Sequence, residues 1–251
     1  MDGIVEVELD GWPAGVSIFY TTRSGGLSEG PYASFNLGAH VGDKPHAVCS
    51  NRRLLVESVH ALTGVPVEFA WLNQVHGIRI VRAADSISDP LDADASWTDK
   101  HGLACAVMTA DCVPVLLTNQ SGSLIAAAHA GWRGLADGVL DSTLSALAGN
   151  GEILAWVGPS IGPAAFQVGA DVRDAFLSRD SSAEGFFLAD ESAPGKYRAD
   201  LGGLVVHGLH QLGVVKVSHH ASCTYSNPGL FYSHRRDGVS GRQASFIFLR
   251  P

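Results

Sequence analysis

Long hydrophobic runs and paired cysteines are missing from this sequence of 251 residues, and we expect no secretory leader. No apolar stretch approaches the ~18 residues that a membrane-spanning helix requires. The N-terminal segment MDGIVEVELDG has neither the basic region nor the apolar region of a secretory signal. The four cysteines lie apart, without a CxxC pair: Cys49, Cys105, Cys112 and Cys223. We therefore expect a cytoplasmic protein with reduced thiols, at least one of which could be a metal ligand or a nucleophile.

Basic residues are also scarce. The sequence has 17 Lys and Arg against 25 Asp and Glu, which gives a formal net charge of -8. Nucleic-acid-binding proteins usually carry a basic surface and anionic membranes attract basic segments, so we expect neither as a partner. The GxGxxG fingerprint of dinucleotide-binding folds is absent as well. No internal repeat, low-complexity tract or linker divides the chain, so we expect one domain over residues 1–251 with a substantial core.

Three apolar, strand-like runs follow one another in the middle of the sequence. They are Leu103–Ala110, Val113–Thr118 and Leu124–Ala130. Shorter strand patterns occur at 4–9, 16–20, 69–72, 78–81, 153–157, 214–218 and 245–249, and helical patterns at 45–62, 135–147, from 171, and at 201–212. Strands outnumber helices, and most are too closely spaced for regular βαβ units. The sequence therefore predicts an α+β fold with mixed sheets covered by helices.

Residues that carry chemistry stand where these runs end. Cys112 lies between the first two runs, directly after Asp111, and His129 is near the end of the third. A thiol and an imidazole at strand ends could project from a rigid scaffold into a shared cleft. The alternative is that Cys112 is a small core residue and His129 a hydrogen-bonded core histidine. Two features favour the functional interpretation: Asp111 is costly to bury without a partner, and His76 lies upstream in the tight turn NQVHG.

Two imidazoles and one thiolate form a ligand set that zinc favours, and a catalytic zinc site keeps its fourth position open. His76, Cys112 and His129 would supply these ligands, but their separations of 36 and 17 residues match no short-range motif. A structural zinc site would need a fourth protein ligand, for which Cys223 and His219 are the candidates.

The segment Gly-Trp-Arg-Gly after His129 begins a helical pattern. Backbone N–H groups at a helix start attract anions, so Gly131, Arg133 and Gly134 are candidates for holding a phosphate. Asp111, next to a candidate ligand, would either orient that ligand or act as a general base.

Two glycine-rich segments are candidates for functional loops. The segment 21–43 carries Arg23, Asn36 and His40. A loop of this length is uncommon in a compact domain unless it is functional, and the alternative is a mobile surface excursion. The segment YSHRRDGVSGRQ carries Arg235, Arg236 and Arg242 around two glycines, which is either a solvated basic turn or an anion clamp.

Arg52 interrupts the apolar stripe of the predicted 45–62 helix. The stripe consists of Val48, Leu55, Val59 and Leu62. Position 52 lies on the same face, four residues after Val48 and three before Leu55. An arginine on an inward face needs a partner. That partner is either a buried carboxylate, such as Asp111 or Asp94, or an anionic group of a substrate.

Several unusual sequence blocks occur between about Thr21 and Leu249. They are TTRSGGLSEGPYASFNLGAHVGD, LNQVHG, MTADCVPVLL, AAAHAGWRGLADG, VGPSIGP and FYSHRRDGVSGRQASFIFL. In this order they resemble the YfiH/laccase-domain family, also called multicopper polyphenol oxidase-like. The resemblance implies a single-domain layered α/β sandwich that is monomeric, with zinc ligands at His76, Cys112 and His129. It also favours a functional Arg52, because an Asn-Arg pair at this point belongs to the family's pattern.

The resemblance implies a purine nucleoside phosphorylase that cleaves adenosine, inosine, guanosine and methylthioadenosine with phosphate, and that also has adenosine deaminase activity. We expect a zinc-dependent enzyme of this kind, with catalytic residues Arg52, His76, Asp111, Cys112 and His129. The alternatives are a hydrolase that edits a UDP-muramoyl peptidoglycan precursor, and a non-enzymatic zinc-binding module. A copper oxidase is least favoured because the sequence lacks the His-x-His pairs of a multicopper cluster, although copper could enter a Cys/His site adventitiously.

Overall fold

Two mixed β-sheets stacked face to face form the centre of the structure, a computed structural model that describes residues 3–251. In chain order the strands are β1 (Ile4–Val7), β2 (Val16–Thr21), β3 (Glu68–Ala70), β4 (Leu72–Asn73), β5 (Ile80–Arg82), β6 (Leu91–Asp92), β7 (Ala95–Thr98), β8 (Leu103–Thr109), β9 (Val113–Asn119), β10 (Ile125–Ala130), β11 (Ile153–Val157), β12 (Gln167–Gly169), β13 (Phe187–Ala189), β14 (Lys196–Ala199), β15 (Lys216–His219) and β16 (Gln243–Leu249). The α-helices are α1 (Pro45–Thr63), α2 (Trp132–Asp137), α3 (Val139–Ala146), α4 (Ala170–Leu177), α5 (Leu201–Gln211) and α6 (His234–Asp237). Short 3-10 helices occur at Gly30–Tyr32, Ala83–Ser86 and Ser181–Phe186.

The first large sheet has the order β1-β2-β16-β8-β3, and the second has the order β15-β11-β9-β10-β7-β5. Most neighbours are antiparallel, while β3 with β8, β5 with β7 and β11 with β15 run parallel. Helix α1 packs on the outer face of the first sheet, and α2 to α5 cover the outer face of the second. The predicted α+β class, a layered sandwich with mixed sheets covered by helices, is confirmed.

The central strands are buried along their whole length. Every residue of β8, β9 and β10 is buried, because one face of each strand meets the opposite sheet and the other face meets helices. In β8, for example, Cys105 and Val107 face the second sheet, whereas Ala106 and Met108 pack with α1. Strands covered on both faces appear in the sequence as continuous apolar runs rather than as alternating patterns. This is why their bounds were predicted to within about one residue.

The helix predicted for 135–147 is interrupted. Gly138 has φ +105°, in the left-handed region, so it ends α2 and α3 begins at the next residue. The sequence also missed the small sheet β12-β14-β13, whose strands are only three or four residues long. Strands this short carry too little periodicity to be recognised.

The buried face of α1 differs from the predicted stripe at positions 52 and 62. Leu62 is 50% exposed, so its assignment to the core was wrong. Asn51 is fully buried and Arg52 only partly, which means that Asn51 occupies the inward position. The Asn51 side chain accepts a hydrogen bond from Leu27 N and donates to Asn36 O, and so joins α1 to the long loop 22–44.

This long loop is fixed by buried hydrogen bonds. Asn36 is fully buried, and its Oδ1 accepts hydrogen bonds from the backbone N–H groups of Gly38 and Arg242. Arg242 O in turn accepts from Leu37 N. The loop is therefore tied to the segment that precedes β16, and it is not the mobile excursion that the sequence left open. Within residues 3–251, no helix is both long and apolar enough to cross a membrane.

Candidate metal centre

The sheet register brings the candidate residues together at one end of neighbouring strands of the second sheet. Strands β9 and β10 pair with His129 opposite Pro114, which brings His129 beside Cys112 in the turn before β9. Strands β10 and β7 pair with Ala128 opposite Ala95, so Asp94 lies next to His129. The parallel pair β5 and β7 adds the loop that precedes β5, and this loop carries His76. Four separate segments of the sequence thus meet at one point.

His76, Cys112 and His129 form a compact cluster at this point. One ligand atom from each lies within 4.8 Å of the others, and Cys112 Sγ is 3.8 Å from His76 Nε2. The two imidazole rings meet edge to face, with their centroids 4.8 Å apart. This is the triad that the sequence predicted. In the part of the chain that the structure describes, neither Cys223 nor His219 joins the cluster, and Cys223 Sγ accepts a hydrogen bond from Gly162 N instead.

The carboxylate of Asp94 contacts both histidine segments. Asp94 is fully buried, and its oxygens accept hydrogen bonds from the backbone N–H groups of Val75, His76 and Gly77. Its Oδ1 also lies 2.8 Å from Nδ1 of His129. Burial by itself raises the pKa of Asp94, but hydrogen bonds from His129, Gly77 and His76 outweigh it, and the net pKa lies below its ordinary value.

Gly131 lies against two side chains of the triad, and its lack of a side chain gives them room. A Cβ atom at this position would lie 2.6 Å from Cδ2 of His76 and 3.2 Å from Sγ of Cys112. Distances this short would force the ligand side chains to move. The glycine is therefore required for the close approach of the chain to the cluster, which is a different reason from the anion-binding role that the sequence suggested.

The electrostatics of the triad suit a soft divalent metal ion. Burial raises the pKa of the Cys112 thiol, but the charge of His129 and hydrogen bonds from both histidines lower it well below its ordinary value. Burial lowers the pKa of His129, whereas Cys112 and Asp94 raise it by a larger amount. Each member of the pair therefore stabilises the charged form of the other. A thiolate beside two imidazoles is a donor set that zinc prefers, and the residues present fit such an ion.

The triad opens into a cavity of about 320 Å³. The cavity is lined by His40, Gln74, His76, Met108, Thr109, Ala110, Cys112, His129, Arg133, His234 and Arg242. No carboxylate belongs to this lining among residues 3–251. Burial and the positive charges of Arg242 and Arg52 lower the pKa of His40. The cavity beside the cluster is therefore electropositive.

Arg242 is one of the arginines that line this cavity. Its Nη1 donates to the carbonyl oxygens of Ser240 and Gly241, which leaves Nε and Nη2 outside these contacts. Burial lowers the pKa of Arg242. Gly38 lies against its stem, since a Cβ atom at position 38 would be 2.8 Å from Cγ of Arg242. Of the three arginines in the predicted basic turn, Arg242 is the one that reaches the cavity, whereas Arg235 and Arg236 donate to backbone carbonyls elsewhere.

Arg52 has a partner that the sequence did not predict. Its Nε and Nη2 donate to the carbonyl oxygen of Leu37, and its guanidinium lies over the ring of Trp71. Within the described residues no carboxylate contacts Arg52, so of the two alternatives the ion pair with Asp111 or Asp94 is not formed. Both carboxylates have other partners: Asp94 accepts from the 75–77 turn and lies against His129, and Asp111 accepts from Thr224 and Arg235.

Asp111 links the turn that carries Cys112 to a later segment of the chain. It has φ +94°, and its carboxylate accepts hydrogen bonds from Thr224 Oγ1 and from Arg235 N. No hydrogen bond joins its carboxylate to a side chain of the triad among residues 3–251, and its predicted role in orienting the adjacent Cys112 or as a general base stays a prediction. Its observed role is to join the Cys112 turn to the segment 224–235, which carries His234 into the cavity.

The helix start after His129 is more crowded than the sequence suggested. A Cβ atom at Gly134 would lie 2.7 Å from the carbonyl oxygen of Gly77, so this glycine allows α2 to pack against the His76 turn. Arg133 lines the cavity, with its guanidinium 4.5 Å from the centre of the Trp132 ring. Of the predicted phosphate-binding residues, Arg133 lines the cavity, and phosphate binding by the backbone at Gly131 and Gly134 stays a prediction.

Sequence reasoning did not select Asp94, Gln74 or His234 for the site. Gln74 exchanges two hydrogen bonds with the backbone of Met108, and so fixes the His76 loop to the end of β8. A buried Asp in DADASW and a glutamine directly before the His76 turn were the available signals. Both residues were visible in the sequence, but their partners lie between 17 and 35 positions away.

The comparisons with known proteins cover almost the whole chain. The family model described as multi-copper polyphenol oxidoreductase laccase matches residues 17–250. A protein of Pseudomonas aeruginosa named purine nucleoside phosphorylase is 47% identical over 239 residues, with 95% of each chain covered. The purine nucleoside phosphorylase YfiH of Escherichia coli is 46% identical over 94% of this chain and 95% of its own length.

Solved structures show the same fold. A crystal structure of a Neisseria meningitidis protein superposes with a TM-score of 0.93 at 43% identity, and it covers 99% of this chain and 100% of its own. YlmD from Geobacillus stearothermophilus superposes with a TM-score of 0.86 at 32% identity, over 99% and 97% of the two chains. The chain therefore belongs to the multi-copper polyphenol oxidoreductase laccase family, in its YfiH-like branch.

Proposed function

We propose that this protein is a zinc-dependent purine nucleoside phosphorylase. The observation that carries the proposal is the opening of the His76–Cys112–His129 triad into an electropositive cavity, whose lining includes no carboxylate among residues 3–251. The activity named for the relatives from Pseudomonas aeruginosa and Escherichia coli supports the same reaction. Adenosine, inosine, guanosine and methylthioadenosine are the proposed substrates, and adenosine deamination is the proposed side activity.

Zinc is the proposed ion because the protein offers two imidazoles and one thiolate and no fourth side-chain ligand among residues 3–251. Catalytic zinc sites have three protein ligands, whereas structural sites have four. When bound, zinc would supply Lewis-acid chemistry to an oxygen of the substrate or of water. Copper binds similar ligands at least as tightly, so we propose that it is an adventitious occupant.

The cations of the cavity would hold the phosphate. Arg242 lines the cavity with Nε and Nη2 free of the backbone contacts that its Nη1 makes, and a guanidinium suits an oxyanion with bidentate geometry. Arg133 lines the same cavity. Arg52 is outside the cavity lining. It donates to Leu37 O and adds positive charge near His40. We assign direct phosphate contact to Arg242 and Arg133, and a supporting role to Arg52.

Phosphorolysis then requires one displacement. A phosphate oxygen forms a bond to C1′ of the ribose while the bond from C1′ to N9 breaks, and its electron pair leaves with the purine. The departing base takes up the proton that hydrogen phosphate releases as it becomes the ester, and ribose 1-phosphate remains. The side chains of His40 and His234 line the cavity beside the cations, and we assign to them the hydrogen bonds to the leaving base. Among residues 3–251, no carboxylate lines the cavity together with Arg242.

Incubation of zinc-loaded protein with adenosine, with and without phosphate, tests the proposal. Adenine and ribose 1-phosphate, formed only when phosphate is present, are the expected products. Inosine formed regardless of phosphate would leave deamination as the main activity. If neither product appears, and an amino acid is instead released from a UDP-muramoyl precursor, the precursor-editing hydrolase would replace this proposal. Cys112→Ala, which removes one ligand, is the control for metal dependence.

A further inference from the structure

Asp94 lies between two histidines that the sequence places 53 residues apart. In the second sheet β7 lies between β10 and β5. Asp94, directly before β7, therefore has His129 of β10 on one side and the loop before β5 on the other. Its backbone is fixed on both sides, since Asp94 O accepts from His129 N and Asp94 N donates to Arg79 O. The position of the carboxylate is thus set by the sheet.

On one side, Asp94 determines how His129 presents its ring. An ionised carboxylate can only accept hydrogen bonds, so the 2.8 Å contact from Asp94 Oδ1 requires that Nδ1 of His129 carries the proton. The lone pair of a neutral imidazole is then on Nε2. Nε2 is the atom left to face the cluster with Cys112.

On the other side, the same carboxylate closes the turn that carries His76. His76 has φ +60°, which is uncommon for a residue with a side chain and must be stabilised by its surroundings. Three successive N–H groups, from Val75, His76 and Gly77, point at the Asp94 oxygens at 3.2, 2.9 and 2.7 Å. Without an acceptor at this place, three backbone donors would lose their partner.

We propose that Asp94 is the positioning residue of the metal centre, which presents Nε2 of His129 and holds the His76 turn through one carboxylate. Carboxylates behind metal-bound histidines commonly fix the tautomer and the ring orientation, and their loss weakens metal affinity. Here one carboxylate serves both histidines, so a single substitution disturbs two ligands. The inference rests on the metal centre of the proposed function, but its measurement is metal affinity rather than phosphorolysis.

Asp94→Asn tests this role with almost no change in volume. An amide keeps one accepting oxygen and replaces the other by a donating NH₂ group. His129 Nδ1 and His76 N share Oδ1, whereas Val75 N and Gly77 N bond to Oδ2, so an amide cannot accept from His129 and from all three N–H groups of the 75–77 turn at once. We expect the zinc affinity of Asp94→Asn, measured by competition with a chromophoric chelator, to be about 10- to 100-fold weaker than that of the wild type. Asp92→Asn is the matched control, because Asp92 is exposed and its side chain lies outside this network, and its affinity should equal that of the wild type.

Long-range ¹H–¹⁵N spectra of the zinc-loaded wild type provide a second measurement, which needs no variant. We expect the His129 ring proton on Nδ1. A proton on Nε2 would overturn the inference, as would wild-type zinc affinity in a folded Asp94→Asn. A wild-type chain that binds no zinc would overturn both this inference and the proposed metal centre. A zinc-loaded wild type that lacks phosphorolysis would overturn the proposed activity alone.

Discussion

The guanidinium carbon of Arg52 lies 4.2 Å from the centre of the Trp71 ring, and the same guanidinium donates two hydrogen bonds to Leu37 O. This arrangement joins α1 to the loop 22–44 and to the segment after β3. Arg52 therefore combines features of the structural and the functional role, which the sequence analysis treated as alternatives. It is a structural residue whose charge is also close enough to the cavity to lower the pKa of His40.

Arg52→Ala should destabilise the fold and weaken phosphate binding. The variant loses charge-assisted hydrogen bonds and the stacking on Trp71, so we expect the free energy of unfolding in urea to fall by about 2–3 kcal/mol. The KM for phosphate should rise more than the KM for nucleoside. Arg53→Ala, at an exposed position of the same helix, is the control and should stay within about 0.5 kcal/mol of the wild type. Unchanged stability in Arg52→Ala would contradict the structural role.

Asp111→Ala should destabilise the protein while zinc stays bound. Removal of the carboxylate leaves Thr224 Oγ1 and Arg235 N without their acceptor, which should cost about 2–3 kcal/mol by chemical denaturation. Asp111→Asn keeps one accepting oxygen and should lose less. Because Asp111 contacts neither histidine of the triad, Asp111→Asn should still bind about one zinc ion per chain, the number expected for a single catalytic site. Loss of zinc from a stable Asp111→Asn would support the ligand-orienting role that the sequence suggested.

Gly131→Ala should reduce metal content rather than phosphate affinity alone. The added Cβ atom would lie 2.6 Å from the His76 ring and 3.2 Å from Cys112 Sγ, so the ligands must separate. We expect zinc affinity to fall by about tenfold or more, as for other changes that misplace a ligand. Gly229→Ala, where a Cβ atom meets nothing within 4 Å, is the control. A Gly131→Ala variant with full zinc content and a raised KM for phosphate would favour the anion-binding interpretation instead.

The contact between Asp180 and His207 predicts a pH-dependent contribution to stability. Hydrogen bonds from Ser182 and His207 lower the pKa of Asp180 to about 2. Since the folded pKa lies below the unfolded one, this stabilisation is fully present above the ordinary pKa of 3.8 and is lost as the pH falls towards 2. The stability difference between the wild type and Asp180→Asn, measured by urea unfolding, should therefore shrink between pH 4 and pH 2. A difference that is constant over this range would contradict the assignment.

Local patterns predicted the elements whose signal lies within the element itself. Pro45 begins α1, and Gly64, with φ +72°, ends it, as the sequence indicated. The strands β8, β9 and β10 were recognisable because burial on both faces leaves continuous apolar runs. The His76–Cys112–His129 cluster was predicted through the family resemblance, since the spacing of these residues matches no local motif.

The sequence by itself therefore determined the α+β class, the central strands and the residue types that could bind a metal ion. Only the tertiary structure decided which segments meet. The order β9-β10-β7-β5 places Asp94 between the two histidines, and the fixed loop 22–44 brings His40 and Arg242 to the same cavity. The physical reason is that periodicity records how deeply each residue is buried, whereas the pairing of distant strands depends on the register that they adopt together. The partners of Arg52, Asp94 and Asp111 are all products of that register.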